Sequence, residues 1–332
     1  MRIGYLGSGA WAFALANLLA ANGHFVIMWS IEKDIIKGLK ENREHPKFPG
    51  IHVEDNLSFT TDLKDAVVGV DVIVESVTTK GLRPVLKEIL KIEKLTVPFV
   101  MTSKGIEQGT GLLLPEIALE ILGEGHKDLI GCMSGPSLAN EVLHKAPTSV
   151  VAGAHSEQVR TLISQIFSSD YFRVYPNSDM FGVAFGGAMK NIIAIASGIC
   201  DGLGFGQNAK AAMITRGLHE MRKLAPFKQA QAETLNGLSG LGDLCVTSLS
   251  DKSRNYQFGN LLASGLDIEK AKAKIGMVVE GSYTVVSALE LAKKHNTPLP
   301  IAEAVYAIVY DGLDPRVAVK QLFGREIKDE NL

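Results

Sequence analysis

The sequence is poor in cysteine and has almost no excess of charge. Its 332 residues include only three cysteines, Cys132, Cys200 and Cys245, and no Cys-x-x-Cys pair. Such widely separated cysteines suit neither a disulfide framework nor a zinc site, so we expect packing residues, no bound metal and a cytoplasmic location. The formal net charge is −2. This near-balance gives no broad attraction to nucleic acid or an anionic membrane, and it leaves room for a local site that binds a small anion.

The sequence also lacks an uninterrupted apolar segment of membrane-spanning length. The run from Met180 to Cys200 comes nearest, but Lys190 lies at its middle and is the only charged residue in it. Glycines and one asparagine dilute the run further, so we predict a buried helix rather than a membrane-embedded one. At the N-terminus, the apolar run is broken by a Gly-Ser-Gly triplet and is too short for a signal-peptide core.

The first half of the chain alternates apolar, β-branched runs with amphipathic stretches that predict helices, such as Trp11–Asn22, Gly81–Lys91, Gly111–Leu122 and Glu157–Phe167. The predicted strands are Arg2–Leu6, His24–Trp29, Val70–Glu75, Val97–Thr102, Leu129–Met133, Thr148–Gly153 and Tyr171–Tyr175. This alternation predicts parallel pairing in a doubly wound sheet. The charged stretch "ENREHPKFPGIHVEDN", residues 41–56, contains two prolines and predicts a long loop of the functional or mobile kind.

After Pro176 the strand pattern stops and helical periodicity takes over. The predicted helices are Phe181–Ile199, Asn208–Lys223, Gln257–Ala263, Ile268–Lys274, Ser282–His295 and Ala302–Tyr310. A chain of this length is also longer than one typical hydrophobic core. The sequence therefore predicts the α/β class, with a Rossmann-like doubly wound sheet in residues 1–180 followed by an all-helical domain in residues 181–332.

A glycine-rich turn follows the first predicted strand. In "IGYLGSGAWAFALANLL", Gly7 and Gly9 precede Ala12 in a Gly-x-Gly-x-x-Ala pattern at the start of a helix. Glycines there let the backbone approach a pyrophosphate, which the helix N-terminus stabilises. The pattern predicts dinucleotide binding, and the alternative is a purely structural turn.

The end of the second strand bears on the choice between NAD and NADP. An acidic residue at this place binds the ribose hydroxyls of NAD, whereas a basic residue favours the extra phosphate of NADP. Glu32 and Lys33 are adjacent here. The cofactor preference therefore stays open at this point.

Lys190 lies on a helical face of small residues. Gly186, Gly187, Ile193 and Ala194 stand three or four positions away, with Gly182, Ser197 and Gly198 further along. The small residues among them leave a groove where a ligand could approach the ammonium. The alternative is a helix-packing groove with the lysine reaching to its edge. An unpaired ammonium is costly to bury, so a lysine at this position calls for a partner or a chemical role.

Three further clusters favour an anionic substrate bound between the sheet and the helical domain. Lys104 follows an apolar strand, at the strand end where ligands bind in open parallel sheets. Gly135 and Ser137 lie between a strand and a predicted helix. Asp243, Ser253, Arg254 and Asn255 fall in "GLSGLGDLCVTSLSDKSRN", a glycine-rich sequence that we interpret as loop.

These segments closely resemble bacterial-type NAD(P)-dependent glycerol-3-phosphate dehydrogenases. The resemblance runs from about Arg2 to about Arg325. It rests on "GSGAWAFALA", "SKGIE", "SGPSLANEV", "FRVY", "GGAMKNIIAIASGICDGLGFGQNAKAAMITRGL", "GLSGLGDL", "SRN" and "VVEG". The segment from Gly186 to Leu218 is the most specific of these motifs.

The resemblance assigns a role to each candidate residue. It implies that Lys190 is the general acid/base. It implies a substrate site made of Lys104, Gly135, Ser137, Lys190, Asp243, Ser253, Arg254 and Asn255. Beside Gly7, Gly9 and Lys33, it implies cofactor contacts from Trp11, Lys104, Ala139, Arg254, Val278 and Glu280.

The reaction that the resemblance implies is the interconversion of sn-glycerol 3-phosphate and dihydroxyacetone phosphate with NAD or NADP. The same resemblance implies a homodimer that supplies glycerophosphate for phospholipid synthesis. Two other hypotheses stay open. One is a dehydrogenase of the same architecture that acts on a hydroxy acid or sugar acid, and the other is a non-catalytic protein that senses the dinucleotide.

Overall fold

The structure is a computed structural model that describes residues 1–276, 278–327 and 329–330. These residues group into two compact units. The first contains Met1–Lys104 and Leu114–Ala184, and the second contains Gly105–Leu113 and the chain from Phe185 onward. A segment of nine residues in the first half of the sequence thus belongs to the second unit.

The first unit is built on one eight-stranded sheet. Its strands are β1 (Arg2–Leu6), β2 (Phe25–Trp29), β3 (Leu57–Thr60), β4 (Val72–Glu75), β5 (Phe99–Met101), β6 (Ile130–Ser134), β7 (Thr148–Ala154) and β8 (Phe172–Asn177). Their spatial order is β3-β2-β1-β4-β5-β6-β7-β8. The chain therefore builds outward in one direction from β1 and then in the other from β4, so the switch point of the sheet lies between β1 and β4.

Helices of the first unit connect these strands. They are α1 (Ala10–Ala21), α2 (Lys33–Asn42), α3 (Leu63–Val67), α4 (Thr79–Ile92), α5 (Leu114–Leu122), α6 (Ala139–Leu143) and α7 (Glu157–Phe167), with a 3₁₀ turn at Glu124–Leu129. Helix α1 buries eight of its twelve residues, among them Phe13 and Leu19. Because helices cover the sheet, central strands are apolar on both faces and read in sequence as continuous apolar runs.

The remaining helices are α8 (Met180–Gly202), α9 (Gln207–Leu224), α10 (Asp243–Leu249), α11 (Arg254–Ala263), α12 (Ile268–Ile275), α13 (Glu280–Lys294), α14 (Pro300–Tyr310) and α15 (Pro315–Phe323). Two 3₁₀ turns, Ala225–Lys228 and Ala232–Asn236, and a π-helical turn, Leu238–Gly242, separate α9 from α10. By length and composition α8 could cross a membrane, but 94% of its most apolar window is buried inside the protein. That burial is typical of a core helix.

The predicted fold class is confirmed, and four details of the prediction are corrected. Strand β3 was not predicted, because its four residues directly follow the charged segment 41–56. Helices α2, α3 and α15 were also missed. Strands β6 and β7 pair antiparallel, with Gly131 opposite Ala154, so the expectation of parallel pairing was wrong for this one pair. The sequence 237–255, interpreted as loop, contains helix α10 and the start of α11.

Helices α8 and α11 approach each other so closely that only glycine fits at the contact. A Cβ at Gly198 would lie 2.0 Å from the carbonyl oxygen of Tyr256, and a Cβ at Gly259 would lie 2.0 Å from that of Ile195. Both neighbours are backbone atoms of packed helices and cannot turn aside as a flexible side chain could. The contact sets the position of the first turn of α11 on α8.

We predict that Gly259→Ala lowers the free energy of unfolding by about 1–3 kcal/mol or more, because the methyl group forces the two helices apart. Urea denaturation would measure the change. The control is Gly38→Ala in α2, where a Cβ meets no atom within 4 Å. This variant should be neutral or more stable by up to about 1 kcal/mol, since alanine favours helix. Equal stabilities of the two variants would contradict the close contact.

Candidate functional site

The glycine turn after β1 has the geometry of a phosphate-binding turn. Gly7 has φ +119°, and a Cβ there would lie 2.7 Å from the carbonyl oxygen of Ser76. Gly9 is the N-cap of α1 and has no side chain to cap the first amides of the helix. A Cβ at Gly9 would meet no atom within 4 Å. The space beside this helix N-terminus is therefore open on the Gly9 side, as a phosphate-binding turn requires.

A buried serine in this turn holds the acidic residue that follows β2. Ser8 Oγ lies 2.8 Å from both Ser30 Oγ and Glu32 Oε2, and the Glu32 amide donates to Ser30 Oγ at 3.1 Å. The carboxylate is thus fixed beside the dinucleotide turn. Lys33 is exposed at the first position of α2. A fixed carboxylate here accepts ribose hydroxyls and repels a 2′-phosphate.

His45, in the segment 41–56, packs against the glycine turn that follows β1. The His45 ring stacks on Phe13 with centroids 4.8 Å apart. Its Nδ1 accepts from the Lys47 amide at 3.2 Å, so Nε2 carries the hydrogen and donates to the Ser8 carbonyl at 3.0 Å. Burial lowers the pKa of His45, which keeps the ring in this neutral tautomer.

Lys104, Gly135 and Ser137 come together at the carboxyl ends of β5 and β6. The Gly135 carbonyl accepts hydrogen bonds from Lys104 Nζ at 3.2 Å and from Ser137 Oγ at 2.9 Å. Gly135 has φ +152°, and a Cβ there would lie 2.8 Å from Val150 Cα, so the position requires glycine. Ala139 follows as the first residue of α6. These residues form one polar group in the first unit.

Trp11 lies at the same edge of the sheet, on the first turn of α1. Its indole Nε1 donates to the carbonyl of Thr102 at 3.2 Å. The half-buried ring also packs against the core cluster of the first unit. It therefore joins the glycine turn to the segment that carries Lys104.

In the second unit, Lys190 is buried and paired. Its side chain is 9% exposed and that of Asp243 1%. Lys190 Nζ donates to Asp243 Oδ1 and, at 2.7 Å, to Thr247 Oγ1. Thr247 in turn donates to the Asp243 backbone carbonyl at 2.7 Å. The carboxylate favours the ammonium form of the lysine, and two acceptors fix its direction.

Small residues around the π-helical turn bring the two charges together. A Cβ at Gly186 of α8 would lie 2.4 Å from the carbonyl oxygen of Ser239, and a Cβ at Gly240 would lie 2.0 Å from that of Leu235. The turn can therefore lie directly on α8, and α10 begins with Asp243 facing Lys190. The glycines that suggested a loop are here close-packing residues.

Ser253, Arg254 and Asn255 form the start of α11. Ser253 is its N-cap and accepts from the Tyr256 amide at 3.3 Å. Asn255 Nδ2 donates to Asn191 Oδ1 at 3.0 Å, and Asn255 Oδ1 accepts from the Gly281 amide at 2.9 Å. Asn255 therefore ties α8 to α13.

Arg254 is exposed on the same turn. Its Nη1 donates to the Val278 carbonyl at 3.1 Å. The carboxylate of Glu280, the first residue of α13, interacts with it electrostatically. The candidate residues of this unit thus lie on α8, α10 and α11, at the start of α13 and, for Val278, just before α13.

Two polar residues, Thr247 and Glu75, were not predicted from the sequence. Thr247 lies four positions after Asp243 on α10, so the two residues share one face of that helix. This spacing was not used because the segment was interpreted as loop. Glu75, at the end of β4, is fully buried and bonded to Ser103. A single acid at a strand end gives no pattern in sequence. Within the described residues, no group of three His, Cys, Asp or Glu side chains could hold a metal ion.

A dinucleotide turn in a doubly wound sheet, combined with a buried lysine–carboxylate pair in a helical unit, defines a nicotinamide-dependent dehydrogenase. Family models match most of the chain. The model of the NAD-dependent glycerol-3-phosphate dehydrogenase N-terminus matches residues 2–160, and that of the C-terminus matches residues 179–320. The chain belongs to this family.

Individual relatives agree with the family models. The chain is 54% identical to glycerol-3-phosphate dehydrogenase [NAD(P)+] of Chlamydia pneumoniae, over 99% of each chain. It is 53% identical to the enzyme of the same name of Protochlamydia amoebophila, over 100% of this chain and 99% of the relative. The crystal structure of glycerol-3-phosphate dehydrogenase from Coxiella burnetii has a TM-score of 0.92 at 36% identity, covering 98% of this chain and 99% of that one.

The geometry at Glu32 predicts a preference for NADH over NADPH. Glu32→Gln should lower the ratio of kcat/KM for NADH to that for NADPH by about tenfold, because removing the charge lessens repulsion of the 2′-phosphate. Initial rates with both cofactors would measure the ratio. Asp34→Asn, an exposed acid two residues further on, is the control and should leave it unchanged. A ratio that does not move in Glu32→Gln would contradict the assignment.

Proposed function

We propose that the chain interconverts sn-glycerol 3-phosphate and dihydroxyacetone phosphate, with NAD or NADP as the cofactor. The observation that carries this proposal is the buried Lys190–Asp243 pair in a chain that also has an open dinucleotide turn. Family membership supports the substrate, because relatives at 54% and 53% identity bear the name of that dehydrogenase.

The cofactor would fit the first unit. The open space at Gly9, the N-terminus of α1 and the fixed Glu32 carboxylate suit a pyrophosphate and a ribose. When bound, a nicotinamide dinucleotide supplies or accepts the hydride of the reaction. We assign further cofactor contacts to Trp11, Lys33, Lys104, Ala139, Arg254, Val278 and Glu280.

Lys190 would move the proton of the reaction. In the reduction direction, its ammonium polarises the carbonyl oxygen at C2 of dihydroxyacetone phosphate and donates a proton to that oxygen. In the oxidation direction, the neutral amine takes the proton from the C2 hydroxyl. Asp243 and Thr247 hold Nζ in position, so its orientation is set before the substrate arrives. Positioned acid/base help of this kind contributes about 10²- to 10⁴-fold.

Arg254 would bind the substrate phosphate. Arg254 is an exposed residue with a partly desolvated guanidinium at the N-terminus of α11, where both its charge and the helix end favour an anion. We assign Lys104, Gly135, Ser137, Asp243, Ser253 and Asn255 to the same substrate. Residues 1–180 would then form the dinucleotide-binding domain and residues 181–332 the substrate domain.

The first experiment is the loss of reduced-nicotinamide absorbance when the purified protein meets dihydroxyacetone phosphate, with NADH and NADPH in parallel. Oxidation supports the proposal. An unphosphorylated hydroxy or keto acid that works equally well would favour another dehydrogenase of this architecture. Binding of NADH without any turnover would favour a dinucleotide-sensing protein.

The cellular setting of the reaction is also part of the proposal. We infer a cytoplasmic homodimer that supplies glycerophosphate for phospholipid synthesis. Size-exclusion chromatography with light scattering tests the dimer, and a monomeric mass at working concentration would contradict it. Glycerol auxotrophy of a strain that lacks the gene tests the supply of glycerophosphate.

Lys190→Ala should lower kcat by about 10²- to 10⁴-fold, because the proton donor is lost. NADH binding, measured by fluorescence titration, should stay unchanged. Lys210→Ala is the matched control, since Lys210 is another buried lysine and pairs with Asp201 at 2.5 Å. The control should keep its kcat. Retained turnover in Lys190→Ala would remove the catalytic role.

Arg254→Ala should raise the KM for dihydroxyacetone phosphate by about 10- to 100-fold, as expected for the loss of a charge-assisted hydrogen bond. Steady-state kinetics at saturating NADH would measure this KM. Lys252→Ala removes an exposed cation two residues away and should leave the KM unchanged. An unchanged KM in Arg254→Ala would show that another group binds the phosphate.

A further inference from the structure

A buried polar network lies at the switch point of the sheet. It joins the carboxyl ends of three neighbouring strands, β1, β4 and β5. Tyr5 Oη lies 2.7 Å from Ser76 Oγ, Ser76 Oγ bonds to Thr102 Oγ1, and Thr102 Oγ1 donates to the Glu75 backbone carbonyl at 2.8 Å. The Gly7 turn lies against this network, since a Cβ at Gly7 would meet the Ser76 carbonyl.

Glu75 is the carboxylic acid of this network. It ends β4 opposite Leu6, the last residue of β1, and its relative exposure is 0%. Its Oε1 accepts from the Val77 amide at 2.5 Å, and Ser103 Oγ lies 2.8 and 2.7 Å from the two carboxyl oxygens. Burial raises the pKa of Glu75 to about 8, which favours the neutral acid at pH 7.

The contacts leave one carboxyl oxygen able to carry the acidic hydrogen. Ser103 Oγ donates to the carboxyl group when Glu75 is ionised; when Glu75 is protonated, Oε2 is the oxygen that can carry the hydrogen and donate it to Ser103 Oγ, because Oε1 already accepts from the Val77 amide. A neutral carboxyl group can therefore satisfy both of its oxygens without a cation. An ionised group in the same place would be buried with no charged partner among these contacts, which is costly.

Ser103 connects this acid to Lys104. The segment from Thr102 to Lys104 is fixed at three successive residues. Trp11 donates to the Thr102 carbonyl, Glu75 bonds to Ser103, and Lys104 donates to the Gly135 carbonyl. Of these three anchors, Glu75 holds the residue directly before the lysine.

We propose that Glu75 is a positioning residue that acts through Ser103 to fix Lys104 at the switch point of the sheet. This inference rests on the proposed function in one respect, that Lys104 contacts the substrate and cofactor. Glu75 touches neither. Its part is to hold, as a neutral acid, the backbone from which Lys104 extends.

The experiment compares Glu75→Leu, which removes the hydrogen bonds, with Glu75→Gln, which keeps an acceptor for Val77 and a donor for Ser103. Glu75→Leu should raise the KM for dihydroxyacetone phosphate by about tenfold or more, because a misplaced contact residue weakens substrate binding. Glu75→Gln should restore the KM. If Glu75→Leu does not fold, Ser103→Ala takes its place and should show the same loss.

A double-mutant cycle separates positioning from general stability. In a Lys104→Ala background, Glu75→Leu or Ser103→Ala should cause no further rise in KM, because the residue through which they act is absent. If the rises in KM caused by the two substitutions multiply in the double variant, the proposal is overturned.

Glu220→Gln is the matched control. Glu220 is also a buried acid, with a pKa raised to about 7 by burial, but it accepts from the Ile301 and Ala302 amides and should leave the KM unchanged.

The pH dependence of unfolding gives a second readout that needs no cofactor. The folded-state pKa of Glu75 is raised from 4.5 to about 8. Its stabilising effect is therefore complete below pH 4.5 and is lost as pH rises through about 8. The melting temperature of the wild type minus that of Glu75→Gln should fall between pH 5 and pH 9. A difference that is constant over this range would contradict a buried neutral acid.

The titratable side chain hydrogen-bonded into the same network does not titrate in this window. Tyr5 is the titratable side chain on the adjacent strand β1, and burial raises its pKa beyond this range. Lys104 is the charged side chain on the segment after β5. Because Glu75 loses its proton as the pH rises through about 8, the KM of the wild type for dihydroxyacetone phosphate should rise above pH 8. The KM of Glu75→Gln should show no such rise, since glutamine does not titrate.

The two proposals fail in different ways. If the wild type does not turn over dihydroxyacetone phosphate, the proposed function fails, and the unfolding experiment still tests the state of Glu75. If the wild type is active and Glu75→Leu and Ser103→Ala keep its KM, the positioning role fails alone.

Discussion

The second unit is organised around one buried ion pair, Lys190 with Asp243. An ammonium inside an apolar helix is costly unless a partner compensates it. That partner must come from another element, because the residues one turn away on α8 are small or apolar. The π-helical turn and the glycines on both sides of the contact serve this purpose, since they let α10 begin against α8. The backbone geometry of the region thus follows from the need to pair one charge.

Such a pair is weak evidence for stability. Replacing a buried ion pair with well-packed apolar residues is often neutral or stabilising, and most of the residues around Lys190 on this helix are apolar or small and would pack well. Keeping Lys190 costs desolvation and requires Thr247 as a second acceptor. A functional reason accounts for this cost better than a structural one, and proton transfer is the chemistry that a fixed ammonium can perform.

Much of the fold could be predicted from the sequence because burial leaves a periodic signal. Strands covered on both faces appear as apolar runs, and the glycine turn has a spacing fixed by its backbone geometry. The direction of β7 leaves no such signal, since an antiparallel strand has the same composition as a parallel one. Helix α10 was missed because its approach is rich in glycine, which indicates a loop as readily as a close contact. Without that helix, nothing in the sequence places Thr247 beside Lys190.

The two buried acids, Asp243 and Glu75, show how surroundings decide the state of one functional group. Both are fully buried. Asp243 contacts an ammonium, so its charge is compensated and it holds the Lys190 side chain in one direction. Glu75 contacts a hydroxyl and a backbone amide, and burial raises its pKa to about 8. A neutral acid can donate a hydrogen bond where a carboxylate only accepts. The chain therefore uses one carboxyl group to hold a charge and the other to hold a backbone segment, and only the contacts in the folded protein distinguish them.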